Sequence, residues 1–233
     1  MCGIAGLVDL KGLRTENAAR RCEAALDRIR MRGPDGEGTW TDPHCALVHT
    51  RLAIIDLSPL GAQPMSRDGL VITFNGEIFN FAEVRHELLR LGHSFRSHSD
   101  TEVLLEGYAV WGPALLDRLN GMFAFAIWDE REQRLFVARD RFGIKPLYYA
   151  TTNKGTVFAS EMKCILSMAD SLGLDLNLDK RAIEHYVDLQ YVPEPESMHA
   201  NIRRVESGCT VTLRPGEEVV AERYFSPRFP IQP

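Results

Sequence analysis

The sequence contains no C-x-x-C pair, and its five cysteines are scattered along the chain. They are Cys2, Cys22, Cys45, Cys164 and Cys209. An odd, dispersed set makes a poor disulfide framework and a poor zinc site, so we expect reduced thiols and a cytoplasmic location. A helical stripe predicts that Cys22 is buried together with Ala18, Ala25, Leu26 and Ile29.

An excess of basic residues is also lacking, because 27 Lys and Arg face 32 Asp and Glu for a net charge of −5. Phosphate binding needs a basic surface, which argues against nucleic acid and anionic membranes as partners. No apolar run approaches the ~20 residues of a membrane span. The N-terminus has no basic segment ahead of a long apolar core, so no signal peptide is predicted.

Common catalytic and nucleotide-binding signatures are absent. The chain has no G-x-x-x-x-G-K-[ST], H-E-x-x-H, G-x-S-x-G or G-x-G-x-x-G, and residues 33–38 space their glycines wrongly for the last of these. The seven histidines show no metal-like pairing, and His49 beside a strand fits a surface or packed residue better than a ligand. No metal site is therefore predicted.

The chain does contain short β-like runs separated by amphipathic helices. The predicted strands are residues 3–10, 46–55, 70–78, 122–129, 134–139, 147–149 and 156–159, and the predicted helices lie near 16–30, 83–91, 101–111, 161–168 and 180–189. Residues 122–128 are apolar on both faces, so that strand should be covered on both sides. Residues 153–155 favour a hairpin turn. Two stacked antiparallel sheets with helices outside satisfy these patterns, although composition does not separate this sandwich from other α+β folds.

The helix near 83–91 has the clearest start signals. Asn80 can cap it and Glu83 can complete a capping box. Phe79 and Val84 are spaced to form a hydrophobic staple. Together these residues predict a well-defined helix N-terminus.

Cys2 stands out by its position. Methionine aminopeptidases remove Met1 when a small residue follows, and this would place a thiol and a free α-amine on Cys2. An α-amine has a pKa of about 7.7 to 8.0 and can accept a proton near neutral pH. The nucleophile would then carry its own base. On position alone, an incidental cysteine is the better interpretation.

Other residues offer a match for each polar group of a small amino-acid amide. Arg51 can pair with an α-carboxylate, Asn75 and Gly76 can supply two N–H donors, and Glu77 and Asp100 can supply carboxylates. Each has a structural alternative. Arg51 could be a solvent-exposed strand-end arginine, Asn75-Gly76 a tight turn, and Asp100 a carboxylate that favours a helix dipole.

Seven motifs in order resemble one family, the glutaminase domain of glutamine-hydrolysing asparagine synthetase. They are Met1-Cys-Gly-Ile-Ala-Gly6, Arg32-Gly-Pro-Asp35, Arg51-Leu-Ala-Ile-Ile-Asp56, Phe74-Asn-Gly-Glu-Ile-Phe-Asn80, Ser99-Asp-Thr-Glu102, Gly121-Met-Phe-Ala-Phe125 and Arg139-Asp-Arg-Phe-Gly-Ile-Lys-Pro-Leu147. The resemblance runs from Cys2 to about Phe225. This family belongs to the class II glutamine amidotransferases, which are N-terminal nucleophile hydrolases.

The resemblance implies a four-layer αββα sandwich over residues 2–225. Residues 226–233 are then a linker toward an ATP-dependent synthetase domain, whose Ser-Gly-Gly-x-Asp-Ser loop does not occur here. The resemblance implies no cofactor for glutamine hydrolysis, with ATP and Mg²⁺ expected only in the synthetase domain. It also implies a homodimer.

The resemblance implies a role for each candidate residue. The catalytic residues are Cys2, Asn75 and Gly76, and the residues that bind L-glutamine are Arg51, Ile54, Ile55, Asn75, Gly76, Glu77 and Asp100. Cys2 acts as the nucleophile, while Asn75 and Gly76 form the oxyanion hole. Arg51 holds the carboxylate, Glu77 and Asp100 hold the ammonium group, and the backbone near Ile54 and Ile55 lines the pocket.

Three positions depart from the family pattern. Met31 replaces a common His, Ala53 a frequent Ser and Phe79 a frequent Tyr, which affects fine specificity rather than chemistry. Two alternatives stay open at this point. One is a glutaminase domain that serves a different acceptor, as in natural-product or polysaccharide assembly. The other is a catalytically silent glutamine-binding module that retains Met1.

Overall fold

The computed structural model describes residues 1–9 and 15–228, and only the backbone of residues 15–19. In chain order the strands are β1 (Gly3–Asp9), β2 (Gly36–Thr41), β3 (Cys45–Arg51), β4 (Met65–Arg67), β5 (Leu70–Ile78), β6 (Gly121–Asp129), β7 (Arg134–Arg139), β8 (Tyr148–Thr152), β9 (Gly155–Ala159), β10 (Arg203–Arg204), β11 (Cys209–Leu213) and β12 (Val220–Arg223). The α-helices are α1 (Thr15–Ile29), α2 (Phe81–Arg90), α3 (Asp100–Trp111), α4 (Met162–Leu172) and α5 (Lys180–Leu189). No helix among these residues is both long and apolar enough to cross a membrane.

The strands form two antiparallel sheets, in the orders β10-β8-β9-β1-β3-β2 and β12-β11-β7-β6-β5-β4. Side chains from both sheets fill the core between them, including Leu47 of β3 and Trp128 of β6. Helices α1 and α4 cover the outer face of the first sheet. Helix α3, with α2 packed against it, covers the outer face of the second. The predicted four-layer αββα sandwich of α+β class is therefore confirmed.

Strand β6 is covered on both faces, as its sequence predicts. One face lies in the core between the sheets and the other lies against α3; they consist of Ala124, Ala126 and Trp128, and of Phe123, Phe125 and Ile127, respectively. Full burial of one large apolar side chain stabilises a fold by roughly 1.5 to 3 kcal/mol. This strand is therefore a main support of the sandwich.

Helix α1 buries the predicted stripe. Cys22, Ala25, Leu26 and Ile29 all lie in the core between α1 and the first sheet. The side chain of Ala18 lies outside the described residues. The predicted hairpin is also present, because residues 153–154 form the turn between β8 and β9.

Several predicted strand boundaries are wrong. Strand β3 ends at Arg51 instead of continuing to Ile55, because the Ala53 N–H donates to Asp35 rather than to a neighbouring strand. The sequence did not predict β2, β4, β10 or β12, which are short or lie at sheet edges with much of their surface exposed. It also did not predict β11, which is buried between β12 and β7. Leu10, the predicted end of the first strand, and residues 229–233 of the predicted linker lie outside the described residues.

The predicted start of α2 is also wrong in its details. Asn80 occupies the N-cap position but makes no cap bond, since its side chain accepts from the Asn120 N–H and donates to the Arg118 carbonyl. Phe79 is exposed, and Val84 packs with Phe81 instead of forming the predicted staple. Asn80 therefore joins the start of α2 to the segment before β6.

Candidate active site

The start of β1, the loop after β3, strand β5 and the start of α3 meet at one cleft of about 150 Å³. All the predicted site residues line it, namely Cys2, Arg51, Ile54, Ile55, Asn75, Gly76, Glu77 and Asp100. Strand β1 lies inside the first sheet between β9 and β3, which fixes Cys2 at the mouth of the sandwich. The structure thus brings every predicted residue together, while their chemical roles stay predictions.

The Cys2 thiol is half-buried against the backbone of Leu52. The Leu52 N–H donates to Cys2 Sγ at 3.3 Å, and Sγ lies 3.6 Å from the Leu52 carbonyl oxygen. Burial raises the pKa of this thiol above its ordinary value, although the Leu52 hydrogen bond and the N-terminal charge oppose the shift. The thiol is therefore protonated at neutral pH and needs a base before it can attack a carbon.

The segment Arg32-Gly-Pro-Asp35 ties Cys2 to the loop that faces it. The Arg32 Nε donates to the Cys2 carbonyl at 2.8 Å, and Nη1 of Arg32 pairs with Glu161 at 2.9 Å. A Cβ at Gly33 would lie 2.3 Å from the backbone carbon of Thr50, so only glycine fits there. The sequence singled out this motif but assigned it no role, because its contacts span distant parts of the chain.

Arg51 is held in the cleft by the loop that follows it. Its guanidinium donates to the carbonyls of Ser58, at 2.9 Å, and Asp56. Hydrogen bonds from Ser58 and from the His98 N–H hold the pKa of Asp56 below its ordinary value, so this loop carries a fixed negative charge. The alternative of a solvent-exposed arginine is therefore wrong, and the remaining N–H groups of Arg51 can bind a carboxylate.

Asn75 has an unpartnered amide in the wall of the cleft. The residue is 1% exposed, and its Nδ2 has no hydrogen-bond partner among the described residues. Buried donors in native proteins are normally paired, so this N–H is available to an oxygen atom of a bound molecule. Gly76 follows inside β5, where a Cβ would lie 2.3 Å from the Met122 carbonyl oxygen. Because both residues belong to a strand, the alternative of a tight Asn-Gly turn is wrong.

A buried hydrogen-bond network fixes the strand that carries Asn75. Gln63 accepts from the Phe74 N–H at 2.7 Å and donates to Thr101 Oγ1 at 3.0 Å. His49 Nε2 lies 3.2 Å from the Phe74 carbonyl oxygen. Burial lowers the pKa of His49 to about 4, so the imidazole is neutral and donates this proton. His49 is thus a packed residue, and Gln63 is a supporting residue that the sequence did not reveal.

Glu77 and Asp100 place two carboxylates in the same cleft. Ser99 caps α3 by accepting from the Glu102 N–H at 3.3 Å, which fixes Asp100 in the first turn. The Ile78 N–H donates to Asp100 Oδ2 at 3.0 Å, so Asp100 also joins α3 to β5. Burial raises the pKa of Asp100 to about 6, and the charge of Glu77 adds to this shift. A cation between the two carboxylates would relieve that repulsion.

Lys145 is a cleft residue for which the sequence suggested no role. Its side chain is buried and lines the cleft, with Nζ 3.3 Å from Met1 Sδ. Met1 lies over the cleft and joins the Cys2 nitrogen in a peptide bond. The α-amine predicted to act as the base therefore exists only after Met1 has been removed.

Comparison with known proteins agrees with the family that the motifs resemble. Residues 1–225 match the family described as "Glutamine amidotransferase domain". Asparagine synthetase [glutamine-hydrolyzing] 1 of Bacillus subtilis is 39% identical over the whole of this chain, which covers 37% of that protein. A Mycobacterium tuberculosis protein, provisionally described as a glutamine-hydrolysing asparagine synthetase, is 43% identical over the whole chain and 38% of its own length. The chain thus spans less than two-fifths of the length of each of these two relatives.

A solved structure has the same fold. The B. subtilis glutamine phosphoribosylpyrophosphate amidotransferase superposes with a TM-score of 0.70 over 96% of this chain and 49% of its own, at 22% identity. This likeness supports the predicted four-layer sandwich. At this identity it shows the fold alone.

Proposed function

Because the chain belongs to the glutamine amidotransferase domain family, we propose that it hydrolyses L-glutamine to glutamate and ammonia through a thioester on Cys2. One observation carries this proposal. The buried Nδ2 of Asn75 lacks a partner among the described residues and lies in the wall of the cleft that holds the Cys2 thiol. An open N–H donor beside a nucleophile is what the oxyanion of an amide hydrolysis requires.

Proton transfer follows from the raised pKa of the Cys2 thiol. After removal of Met1, the α-amine of Cys2 takes the thiol proton and the sulfur attacks the side-chain amide carbon of glutamine. The tetrahedral oxyanion accepts hydrogen bonds from Asn75 Nδ2 and the Gly76 N–H. The C–N bond then breaks, and the α-amine returns its proton to the departing ammonia.

The second half of the reaction releases glutamate. The α-amine takes a proton from water, and the resulting hydroxide attacks the thioester carbon. Breakage of the C–S bond yields glutamate, and the proton returns to the thiol. The side chains need no further acid or base, so the proposal includes no metal or organic cofactor.

Substrate binding uses the remaining charged groups of the cleft. The carboxylate of glutamine pairs with Arg51, whose guanidinium is already oriented by two backbone carbonyls. The ammonium group lies between Glu77 and Asp100. The backbone near Ile54 and Ile55, on the loop held by Asp35, closes one side of the pocket.

The proposal extends to the partner of this activity. In the longer curated relatives, this chain matches only 37% and 38% of the sequence. We place an ATP-dependent synthetase domain in cis, where ATP and Mg²⁺ bind and ammonia forms an amide such as that of asparagine. A homodimer and a cytoplasmic location, the latter supported by five free thiols, stay part of the proposal.

The direct test is hydrolysis of glutamine by the chain after mass spectrometry has verified the loss of Met1. Glutamate and ammonia should appear in equal amounts. The control is the same chain with an uncleaved extension ahead of Met1, which should be inactive because its α-amine is remote from the thiol. Inactivity of the verified Met1-free protein would refute the proposal, and activity of the extended protein would refute the role of the α-amine.

A further inference from the structure

Lys145 buries a charge that has no counter-ion among the described side chains. The side chain is 5% exposed and lines the cleft that contains Cys2. Among residues 1–9 and 15–228, Nζ has no ion pair, and its hydrogen-bond contact is Met1 Sδ at 3.3 Å. A buried ammonium without a carboxylate is costly, and a thioether is a weak acceptor. The fold therefore holds a cation beside the N-terminus for a reason other than pairing.

The loop that presents Lys145 is rigid without help from the ammonium group. Asp140 accepts N–H bonds from Phe142, Ile144 and Lys145, at 3.1, 2.9 and 3.0 Å. Arg139 Nε donates to the Lys145 carbonyl at 2.7 Å. All these bonds use backbone groups of the loop, two of them on Lys145, and none uses its ammonium group. A substitution that removes only Nζ should therefore leave the loop in place.

We propose that Lys145 is a positioning residue: in the Met1-free chain its ammonium faces the Cys2 α-amine and keeps that amine uncharged at neutral pH. The inference rests on the proposed function, because only an uncharged α-amine can accept the thiol proton. Met1 is bonded to the Cys2 nitrogen, and its sulfur lies 3.3 Å from Nζ. Cys2 and Lys145 line the same cleft and interact electrostatically, so Lys145 lies near the end of the chain at which the new amine would form. Two adjacent ammonium groups repel, and the less basic one loses its proton first. That is the α-amine, since its ordinary pKa lies about two units or more below that of lysine.

Other charged groups surround Lys145 and the Cys2 α-amine, and they are consistent with the α-amine losing its proton before Lys145. Burial lowers the pKa of Lys145 and so does Arg32, while Asp140, the Cys2 thiol and Glu77 raise it. Asp100 and Arg51 act on the Cys2 thiol with opposite signs. The net effect lowers the pKa of Lys145, chiefly through burial, while the acidic groups limit that decrease and favour the charged form that acts on the amine.

The first test is the pH dependence of glutamine hydrolysis in Lys145→Met and Lys145→Arg, both verified to lack Met1. In Lys145→Met, the pH at which kcat/KM falls on the acidic side (the acidic limb) should rise by about one unit. The loss of kcat/KM should be about fivefold at pH 7, approach about tenfold at lower pH and disappear at high pH. Lys145→Arg keeps the charge and should keep the wild-type limb. Lys154→Met, in the exposed β8–β9 turn, is the control and should change neither rate nor limb.

Two outcomes would overturn the inference. If Lys145 only packs the cleft, Lys145→Met will lose activity equally at every pH. If Lys145 binds glutamine, KM will rise at every pH while the acidic limb stays in place.

A second readout does not depend on glutamine hydrolysis. In Met1-free Cys2→Ser protein, the rate at which a small acylating reagent labels the α-amine reports the pKa of that amine as pH is varied. Adding Lys145→Met should raise this pKa by about one unit, and an unchanged pKa would contradict the inference. If the wild-type chain fails to hydrolyse glutamine, the proposed function fails, while this titration still decides the effect of Lys145.

Discussion

The cleft and the cores of the sandwich place their cysteines in different surroundings, although burial raises the pKa of the thiol in both. Burial raises the pKa of Cys22 to about 11 and that of Cys164 to about 12, and it also raises the pKa of Cys45 and Cys209. Burial raises the pKa of Cys2 as well. Only the surroundings separate them, since Cys2 adjoins a cleft lined by Arg51 and Asn75.

This difference indicates that the reactivity we propose for Cys2 does not rest on a stabilised thiolate. An acidic thiol would need nearby cations to outweigh burial, and here they do not. A base on the same residue removes that requirement. The contrast between cleft and core therefore rests on the α-amine and on the groups that receive the substrate.

The largest effect should come from replacing the cleft cysteine, with a core cysteine replaced for comparison. Cys2→Ala removes the nucleophile and should lower glutamine hydrolysis by at least about 10³-fold, and Cys2→Ser should also fall steeply because a hydroxyl is a weaker nucleophile. Cys22→Ala should keep its activity and lose about 1 kcal/mol of stability from the core of α1. Initial rates and thermal unfolding measure both. Activity retained in Cys2→Ala would contradict the assignment of Cys2 as the nucleophile.

The next effect concerns the open donor. Asn75→Ala should lower kcat by about 10² to 10³-fold with little change in KM, because the oxyanion forms only in the transition state. Steady-state kinetics would measure this, with Asn201→Ala on the exposed surface as the control. If kcat/KM fell by the same factor because KM rose while kcat stayed constant, Asn75 would bind the substrate before reaction rather than the oxyanion.

Arg51→Lys should act mainly on KM. A lysine keeps the charge but loses the bidentate geometry and the two bonds to the loop carbonyls. We expect KM for glutamine to rise by about tenfold with kcat changed less. Arg30→Lys, in an exposed pair with Glu37, is the matched control. A KM that stays at the wild-type value would remove Arg51 from the substrate site.

The pH dependence of KM should report Asp100. Its pKa is raised to about 6 in the folded chain, so its ionised form is lost as pH falls through 6. If this carboxylate holds the ammonium group of glutamine, KM should rise several-fold below about pH 6, and Asp100→Asn should remove that dependence. A pH-independent KM in the wild-type chain would contradict this role.

The stability of Asp100→Asn at different pH values tests the direction of the Asp100 pKa shift. A carboxyl with a raised pKa favours the folded state most while it is protonated, below its unfolded pKa. This contribution is lost as pH rises through about 6. Asp100→Asn should therefore flatten the fall in stability between about pH 4 and pH 6, which thermal unfolding at several pH values measures.

The smallest effect on catalysis should come from the support of β5. Gln63→Met leaves the Phe74 N–H and the Thr101 hydroxyl without their buried partner. We expect a stability loss of about 1 to 3 kcal/mol and a modest decrease in kcat. Gln190→Met at the exposed end of α5 is the control, and equal unfolding curves for the two variants would rule out the supporting role.

The sequence predicts the groups that would touch glutamine but not those that hold them. Cys2, Arg51, Asn75 and Asp100 lie in local motifs whose residue types match the chemistry. Gln63 has no such motif, because its function depends on reaching Phe74 and Thr101 across the fold.

Contacts between residues far apart in the chain also explain why some strand and helix boundaries were predicted wrongly. The apolar run 46–55 looks like one strand, yet Asp35 takes the Ala53 N–H and turns residues 52–55 into a cleft wall. Asn80 is a good cap by type, but Asn120 and Arg118 occupy its side chain. By contrast, the doubly apolar strand β6 needed no distant partner to be predicted, because burial of both faces follows from its own sequence.

Labelling with a glutamine analogue that carries an electrophilic carbon in place of the amide tests the central contrast most directly. Intact mass and peptide mapping should show one adduct on Cys2 in the Met1-free chain, and none on the four core cysteines. Free glutamine should protect Cys2, and retention of Met1 should abolish the adduct. An adduct on a core cysteine, or equal labelling with Met1 retained, would contradict the account.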